Sequence, residues 1–212
     1  MSTPTHKAQD RPARWTATTT GMDWAILDRM ERAVAKVRER LLRATSALNE
    51  SGVPYAVVGG NAVASWVATV DEGAVRTTRD IELLVRRSDL PVITDTLERA
   101  GFVRDELLDV VMFRDGAEGK PSEAVHLLFA GELTRPDHRH AAPDIHTVND
   151  PANFPVITLE SLVMMKLMSN RRNDQVHVQD LIGVGLVDQS WLARLPPDLA
   201  NRLKLILDTP DA

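Results

Sequence analysis

The sequence contains no cysteine, which excludes a disulfide scaffold, a cysteine nucleophile and thiolate metal sites. No apolar run approaches the roughly 20 residues that span a bilayer, so we expect no membrane segment. Residues 1–21 lack the apolar core of a secretory signal and are rich in Thr, Pro and charge, which predicts a flexible tail. A cytoplasmic location is the resulting expectation.

Two nucleotide-binding fingerprints are absent as well. Neither G-x-G-x-x-G nor the P-loop pattern G-x-x-x-x-G-K-[ST] occurs in the chain. Their absence disfavours a Rossmann oxidoreductase and a P-loop NTPase. The net charge of -5 disfavours a uniformly basic nucleic-acid coat, although a local basic face stays open.

The 212 residues, of which 43% are hydrophobic and 26% charged, indicate one globular domain or one domain with a small appendage. Hydrophobic periodicity and turn residues predict the order of helices and strands. Helices are expected at 23–50, 62–70, 88–100, 159–167, 174–182, 188–191 and 197–207, and strands at 55–58, 80–87, 102–104, 109–113 and 124–129. Residues 130–155 hold four prolines and predict a long surface loop.

This order of elements predicts an α+β domain with a mixed sheet flanked by helices. We expect a flexible tail over 1–21, an α/β core with an N-terminal helix over 22–157, and a helical C-terminal portion over 158–212 packed on that core.

The clearest chemical signal is the pair Asp80 and Glu82. Strand periodicity places residues two apart on the same face, so the two carboxylates repel each other and lose solvation if the sheet is buried. A divalent cation relieves both effects, and Mg²⁺ (or Mn²⁺) prefers such oxygen ligands together with substrate phosphates. The alternative is an exposed edge strand with two solvated acids.

The second signal is Gly59-Gly60, between a predicted strand and a predicted helix. Glycines let a phosphate approach the backbone, and a helix start offers free N–H groups. The alternative is a glycine pair that only makes a turn.

Together the motifs resemble the nucleotidyltransferase superfamily, in particular its bacterial AbiEii-like and related small members. The family pattern is roughly GG-x-A followed by R-x-T-x-D-x-D. Here it reads Gly59-Gly60-Asn61-Ala62 and Arg76-Thr77-Thr78-Arg79-Asp80-Ile81-Glu82, and the later family segment matches at Lys166, Arg172, Asp174 and Asp180. The resemblance covers about residues 50–185 and implies a nucleotidyltransferase-like mixed sheet.

The resemblance also implies roles for single residues. Asp80 and Glu82 would hold the metal, and Lys166 would bind phosphate charge. The nucleotide would be bound by Gly59, Gly60, Asn61, Arg76 and Arg79.

A later strand offers His126 where active relatives place a third carboxylate, with Glu123 and Glu132 at the strand ends. His126 could serve as a ligand or as a general base. Alternatively the site binds nucleotide without turning it over, or His126 is a half-buried strand residue with a neighbouring hydrogen-bond partner.

The function implied is metal-dependent transfer of an NMP from an NTP to a hydroxyl acceptor. RNA ends, a protein or a small molecule are candidate acceptors, and a toxin role with an antitoxin-like partner is part of the resemblance. The alternative is a non-catalytic nucleotide-binding or protein-interaction module on the same fold. A DNA-binding helix-turn-helix at 174–194 is the least favoured hypothesis, because its second helix carries little basic charge.

Weaker signals remain. The proline-rich loop carries the histidine pair His138 and His140, which favours a solvated loop over a zinc site. His177, on the helix predicted at 174–182, is expected on the helix surface, with a position at the active cleft as the alternative. The first helix carries Arg29, Arg32, Lys36, Arg38, Arg40 and Arg43, which indicate a solvated face or, as the sharper hypothesis, a phosphate-facing patch that Arg171 and Arg172 could extend.

Overall fold

A computed structural model describes residues 24–149 and 154–209 of the chain. The predicted tail at 1–21 and the predicted helix cap Asp23 lie outside these residues. None of the described helices is both long and apolar enough to cross a membrane.

Six α-helices and seven strands make up the described fold. The helices are α1 (Trp24–Ser51), α2 (Gly59–Ala68), α3 (Leu90–Arg99), α4 (Leu159–Ser169), α5 (Arg172–Gly183) and α6 (Pro197–Asp208). The strands are β1 (Tyr55–Val58), β2 (Ile81–Val85), β3 (Phe102–Leu107), β4 (Val110–Asp115), β5 (Val125–Phe129), β6 (Thr147–Asn149) and β7 (Pro155–Ile157). Short 3₁₀ turns connect several of them.

All seven strands form one mixed sheet in the order β3-β4-β5-β2-β1-β7-β6. β2 lies at its centre, antiparallel to β1 and parallel to β5. The predicted α+β class with a mixed sheet and flanking helices is confirmed.

Helices cover both faces of the sheet. Tyr55 of β1 donates its hydroxyl to the Thr45 carbonyl of α1 (3.2 Å), so α1 lies on the face that Tyr55 shares with its partner Val85. Glu82 points to the opposite face, where it lines a cavity with residues of α4. The C-terminal helices α4 and α5 pack against α2 on this second face.

The two halves of α1 differ in burial. Leu41, Ala44 and Leu48 are buried in the core, whereas Trp24 and Met30 are 66% and 61% exposed. The apolar spacing continues through both halves, so the amphipathic pattern alone did not indicate where the helix leaves the core.

Three sequence predictions about local structure are wrong. The helix predicted from Ala62 begins at Gly59, so the glycine pair forms its first turn. Ser88 does not cap α3: it lies in a 3₁₀ turn, and its hydroxyl donates to Asp89. The segment predicted as a long loop over 130–155 contains β6 and the start of β7. Proline can occupy the first position of a strand, as Pro155 does, because the missing N–H is not needed there for a hydrogen bond between strands.

Candidate active site

Asp80 and the glycine pair meet where the C-terminal end of β1 lies beside the N-terminal end of β2. β1 ends at Val58, immediately before Gly59, and the antiparallel β2 begins immediately after Asp80. Val58 is paired with Glu82, so this carboxylate lies beside the start of α2.

Both glycines lie where a side chain has no room. Gly59 has φ +69°, and a Cβ on it would lie 1.9 Å from Oε2 of Glu82. A Cβ on Gly60 would lie 2.9 Å from Cβ of Thr78. The glycine pair therefore allows β2 and the segment before it to approach α2 at contact distance.

Asp80 is positioned by bonds from two neighbouring elements. Thr78 donates its hydroxyl to Oδ1 of Asp80 (2.8 Å), and the Asn61 side-chain amide donates to the Asp80 backbone carbonyl (2.9 Å). Asn61 belongs to the first turn of α2, so this bond fixes the helix start against the backbone of Asp80.

A buried ion pair forms the wall opposite β2. Lys166 of α4 donates to Oδ1 of Asp174 on α5 over 3.2 Å, and the two side chains are only 6% and 2% exposed. Asp174 also accepts from Ser169 (2.7 Å) and from Nε of Arg171 (2.8 Å). Although burial opposes it, the Arg171 hydrogen bond and the charge of Lys166 lower the pKa of Asp174 to about 2.

Glu82 has the opposite electrostatic environment. Burial raises its pKa, the charge of Lys166 opposes that change, and the negative charge of Asp80 adds to it. The positive charges present thus do not fully offset the desolvation of Glu82. An additional cation beside Asp80 and Glu82 would lower the free energy of this arrangement.

These groups line a cleft with a volume of about 530 Å³. Asp80, Glu82 and Gly60 form one wall, and residues of α4 and α5 form the other. Its basic side chains are Arg76, Lys166, Arg171 and Arg172. Lys166, Arg171, Glu82 and Asp174 also border a second cavity of about 120 Å³, whose floor includes the apolar residues Leu128, Leu162, Met165 and Met168.

Five of the nine predicted site residues line this cleft, namely Gly60, Arg76, Asp80, Glu82 and Lys166. Gly59 borders the smaller cavity, and Asn61 lines a cavity beside α1. Arg76, Arg79 and His126 have further contacts. Arg76 reaches the cleft while its Nε lies 2.8 Å from Oδ1 of Asp180. Arg79 is exposed and lines a separate groove along α1. His126 pairs in register with Glu82 across the parallel strands, and its Nε2 lies 3.1 Å from the Pro121 carbonyl.

For His177 the structure supports the alternative, a position at the cleft, over a position on the helix surface. It lies half-buried on α5 and lines the cleft with Asp80 rather than facing solvent. Burial and the charge of Lys166 lower the pKa of His177 to about 4, so its imidazole is neutral at pH 7. His177 follows Asp174 by three residues, so the two side chains share one face of the helix. This spacing is the sequence signal that indicates a position at the cleft.

The histidines of the proline-rich segment bind protein groups. His138 Nδ1 lies 2.7 Å from the Thr134 hydroxyl, and His140 Nε2 lies 2.9 Å from Oδ2 of Asp198. Within residues 24–149 and 154–209, no group of three or more histidines, aspartates and glutamates is arranged to hold a metal ion. A cation at Asp80 and Glu82 would therefore complete its shell with water or substrate oxygens.

The sequence matches no family model and no curated protein. Among solved structures, the chain is similar to ANT(2'')-Ia crystallised in complex with adenylyl-2''-tobramycin, with a TM-score of 0.52 and 14% identity over 84% of this chain and 99% of that one. It is also similar to an antigenic nucleotidyltransferase-like protein from Paracoccidioides brasiliensis, with a TM-score of 0.47 and 18% identity over 81% and 94% of the two chains.

The chain has a nucleotidyltransferase fold. In this nucleotidyltransferase fold, the acidic pair, the glycine turn and the basic side chains of α4 and α5 share one cleft.

Proposed function

We propose that the chain is a metal-dependent nucleotidyltransferase of the AbiEii-like kind, which moves an NMP from an NTP to a hydroxyl acceptor. The observation that carries this proposal is the cleft itself. Asp80 and Glu82 face it beside the first turn of α2, and four basic side chains face them.

The carboxylates present fit Mg²⁺ or Mn²⁺. Two acids that line one cleft at the start of β2, one of them desolvated, are a donor set that a hard cation stabilises. Magnesium sites commonly use one or two carboxylates with phosphate oxygens. When bound there, the cation would neutralise charge developing on the transferring phosphoryl group.

The residues of this chain would bind the triphosphate. The first N–H groups of α2 have no side-chain cap, because Val58 precedes the helix, and they can donate to phosphate oxygens. The exposed guanidinium groups of Arg171 and Arg172 at the cleft can pair with the remaining phosphate charge.

In the proposed reaction, the acceptor oxygen attacks the α-phosphorus and the bond to the bridging oxygen breaks. Pyrophosphate leaves with the electron pair of that bond. A neutral imidazole can accept the proton of the acceptor hydroxyl. We assign this role to His177 rather than His126, since His177 lines the cleft and the His126 ring binds a backbone carbonyl.

The test uses each of the four α-³²P-labelled NTPs with Mg²⁺ or Mn²⁺ and with total RNA or total protein. We expect label transfer by the wild type, none by Asp80→Asn, and full transfer by Asp95→Asn, which changes an exposed acid on α3. Transfer that survives Asp80→Asn would refute the assignment of the metal site.

A toxin role and an antitoxin-like partner are a further part of this proposal. Expression of the wild type should then arrest growth of the host cell, and Asp80→Asn should relieve the arrest. Equal growth of cells that express either protein would contradict the toxin role.

A second candidate is a nucleotide-binding module without catalysis. It is favoured by one observation: among the described residues, no third acid or histidine joins Asp80 and Glu82 in a metal-binding group. Cation-dependent NTP binding by calorimetry without label transfer to any acceptor would support the module over the enzyme.

A further inference from the structure

A basic groove of about 400 Å³ runs along the N-terminal half of α1. It is separate from the cleft but adjoins the segment that carries Asp80. Its charged lining consists of Arg29, Arg32, Lys36, Arg40, Arg79 and Glu123.

The groove is a continuous stripe of positive charge. The four basic residues of α1 follow each other at steps of three, four and four, which places them on one face of the helix. At 1.5 Å per residue, the stripe extends over roughly 16 Å. Arg79 adds a fifth cation immediately before Asp80.

Most of these charges have no acidic partner. Arg40 is buried and lies within ion-pair distance of Asp115 (3.4 Å) and Glu123 (3.7 Å), so its role is structural. Within the described ranges, no ion pair involves the other four cations, namely Arg29, Arg32, Lys36 and Arg79. The acids of α1, Asp28, Glu31, Glu39 and Glu50, do not line the groove.

The composition of the chain makes this stripe unusual. The net charge is -5, so a groove with five cations and one acid opposes the overall charge. The preceding residues 1–23 contain three basic side chains and two acids, so their composition does not supply a complementary acidic segment.

We propose that this groove binds the phosphodiester backbone of a nucleic-acid strand, whose terminal hydroxyl is the acceptor of the transferred nucleotide. The inference deepens the proposed function and rests on it. Cations one helical turn apart are separated by about 5 to 6 Å along the helix axis. This distance is of the order of the phosphate spacing in an extended strand. Arginine binds phosphates in a bidentate manner. Because Arg79 joins the groove to Asp80, the strand end is directed towards the cleft.

The first experiment measures binding without nucleotide or metal. Fluorescence anisotropy measures the binding of a labelled 12-nucleotide RNA or DNA strand to three full-length proteins. These are the wild type, the groove variant Arg29→Gln/Arg32→Gln/Lys36→Gln, and the control variant Arg38→Gln/Arg139→Gln/Lys204→Gln. Both variants lose three exposed charges, and none of the control residues lines the groove.

We expect the groove variant to bind strands at least about 10-fold more weakly, and the control within about 2-fold of the wild type. Three lost phosphate contacts should also reduce the slope of log K against log salt by about 2. Equal binding by both variants would overturn the proposal. So would groove-dependent binding of polyglutamate or anionic phosphatidylglycerol vesicles with no binding of either strand.

The second experiment tests the acceptor role with labelled NTP and Mg²⁺ or Mn²⁺. The groove variant should raise the KM for the strand about 10-fold and leave kcat within 2-fold. A strand that ends in a 3′-deoxynucleotide should bind as well as the normal strand but accept no label. Parallel measurements with RNA and DNA strands show whether the acceptor is preferred with ribose or with deoxyribose.

The outcomes separate the two proposals. Suppose that transfer to a strand depends on Asp80 but the groove variant has an unchanged KM for the strand. This result would refute strand binding by the groove and leave the proposed nucleotidyl transfer intact. Groove-dependent strand binding together with label transfer only to protein or small molecules would refute the acceptor role. If no NTP is used at all, the proposed function and the acceptor role both fail, while the nucleotide-free anisotropy still decides whether the groove binds strands.

Discussion

The cleft and the groove along α1 both concentrate ionisable side chains, but in opposite environments. In the cleft, Lys166 and Asp174 are buried and paired, and Glu82 is desolvated. In the groove, Arg29, Arg32 and Lys36 are exposed and lack acidic partners among the described residues. Burial couples the charges of the cleft to the stability of the fold, whereas these three exposed charges of the groove can change with little effect on folding.

The largest expected effect is the loss of the buried carboxylate of Asp174. Asp174→Asn leaves Lys166 buried without its counter-charge, so we expect the free energy of unfolding to fall by about 3 to 5 kcal/mol. Asp95→Asn removes the exposed partner of Arg99 and should cost less than about 0.5 kcal/mol. Urea denaturation of both variants measures the difference, and equal losses would contradict the contrast between buried and exposed pairs.

The second effect concerns space rather than charge. Gly59→Ala would place a methyl group 1.9 Å from Oε2 of Glu82 at a positive φ, so we expect a loss of about 2 to 4 kcal/mol. Gly52 has a similar φ of +72° but open space around its Cβ position. Gly52→Ala therefore isolates the backbone contribution of about 1 kcal/mol. Thermal unfolding at pH 7 compares the two, and similar melting temperatures would refute close packing at Glu82.

The third effect is a dependence of stability on pH. His177 has a pKa of about 4 against an ordinary value of 6.5, so its neutral form is favoured by folding. Stability is therefore fully present above pH 6.5 and is lost as pH falls towards 4. After allowance for partial solvent screening, we expect a loss on the order of 2 kcal/mol over this window.

His177→Gln should remove most of this loss. The control is His146→Gln, which changes an exposed imidazole outside the cleft. Unfolding curves between pH 4 and 7 measure both variants. A wild-type profile that His177→Gln does not flatten would count against a buried neutral imidazole.

The smallest effect has the opposite sign. Folding favours the protonated form of Glu82, so the contribution of this group falls as pH rises from its ordinary pKa through the raised folded-state pKa. Glu82→Gln should therefore increase the free energy of unfolding at pH 7 by about 1 kcal/mol while it abolishes cation-dependent NTP binding. The exposed Glu98→Gln should change neither quantity. A less stable Glu82→Gln protein would contradict our view of this carboxylate.

Five of the seven described strands could be predicted from the sequence because their signals are local, whereas β6 and the start of β7 lie in the segment predicted as a loop. Alternation predicts Asp80 and Glu82 on one strand face, whereas β2 begins at Ile81, so Asp80 lies just before the strand and both acids line the cleft. A short apolar run bounded by Pro54 and Gly59 predicts β1. The fold class follows from the order of these elements, and the structure confirms it.

The remainder of the site depends on contacts between distant segments. The sequence offers His126 on a strand aligned with that of Glu82, and the two residues are paired in the register of β2 and β5. Periodicity does not reveal that the His126 ring binds the Pro121 carbonyl. Likewise the pairing of Arg76 with Asp180 joins residues 104 positions apart. The start of α2 was predicted three residues late because glycine has a low helix propensity, which tertiary packing overrides here.

Lys166 borders both cavities and also joins α4 to α5 through its buried pair. If the proposed function holds, substrate binding and folding share one ammonium group, so a substitution at Lys166 would change both. Arg171 and Arg172 are exposed at the same cleft, and Arg172 is the freer of the two because it takes no part in the bonds to Asp174. In the proposed function, a substitution at Arg172 would therefore change nucleotide binding and leave the buried pair, and with it the fold, unchanged.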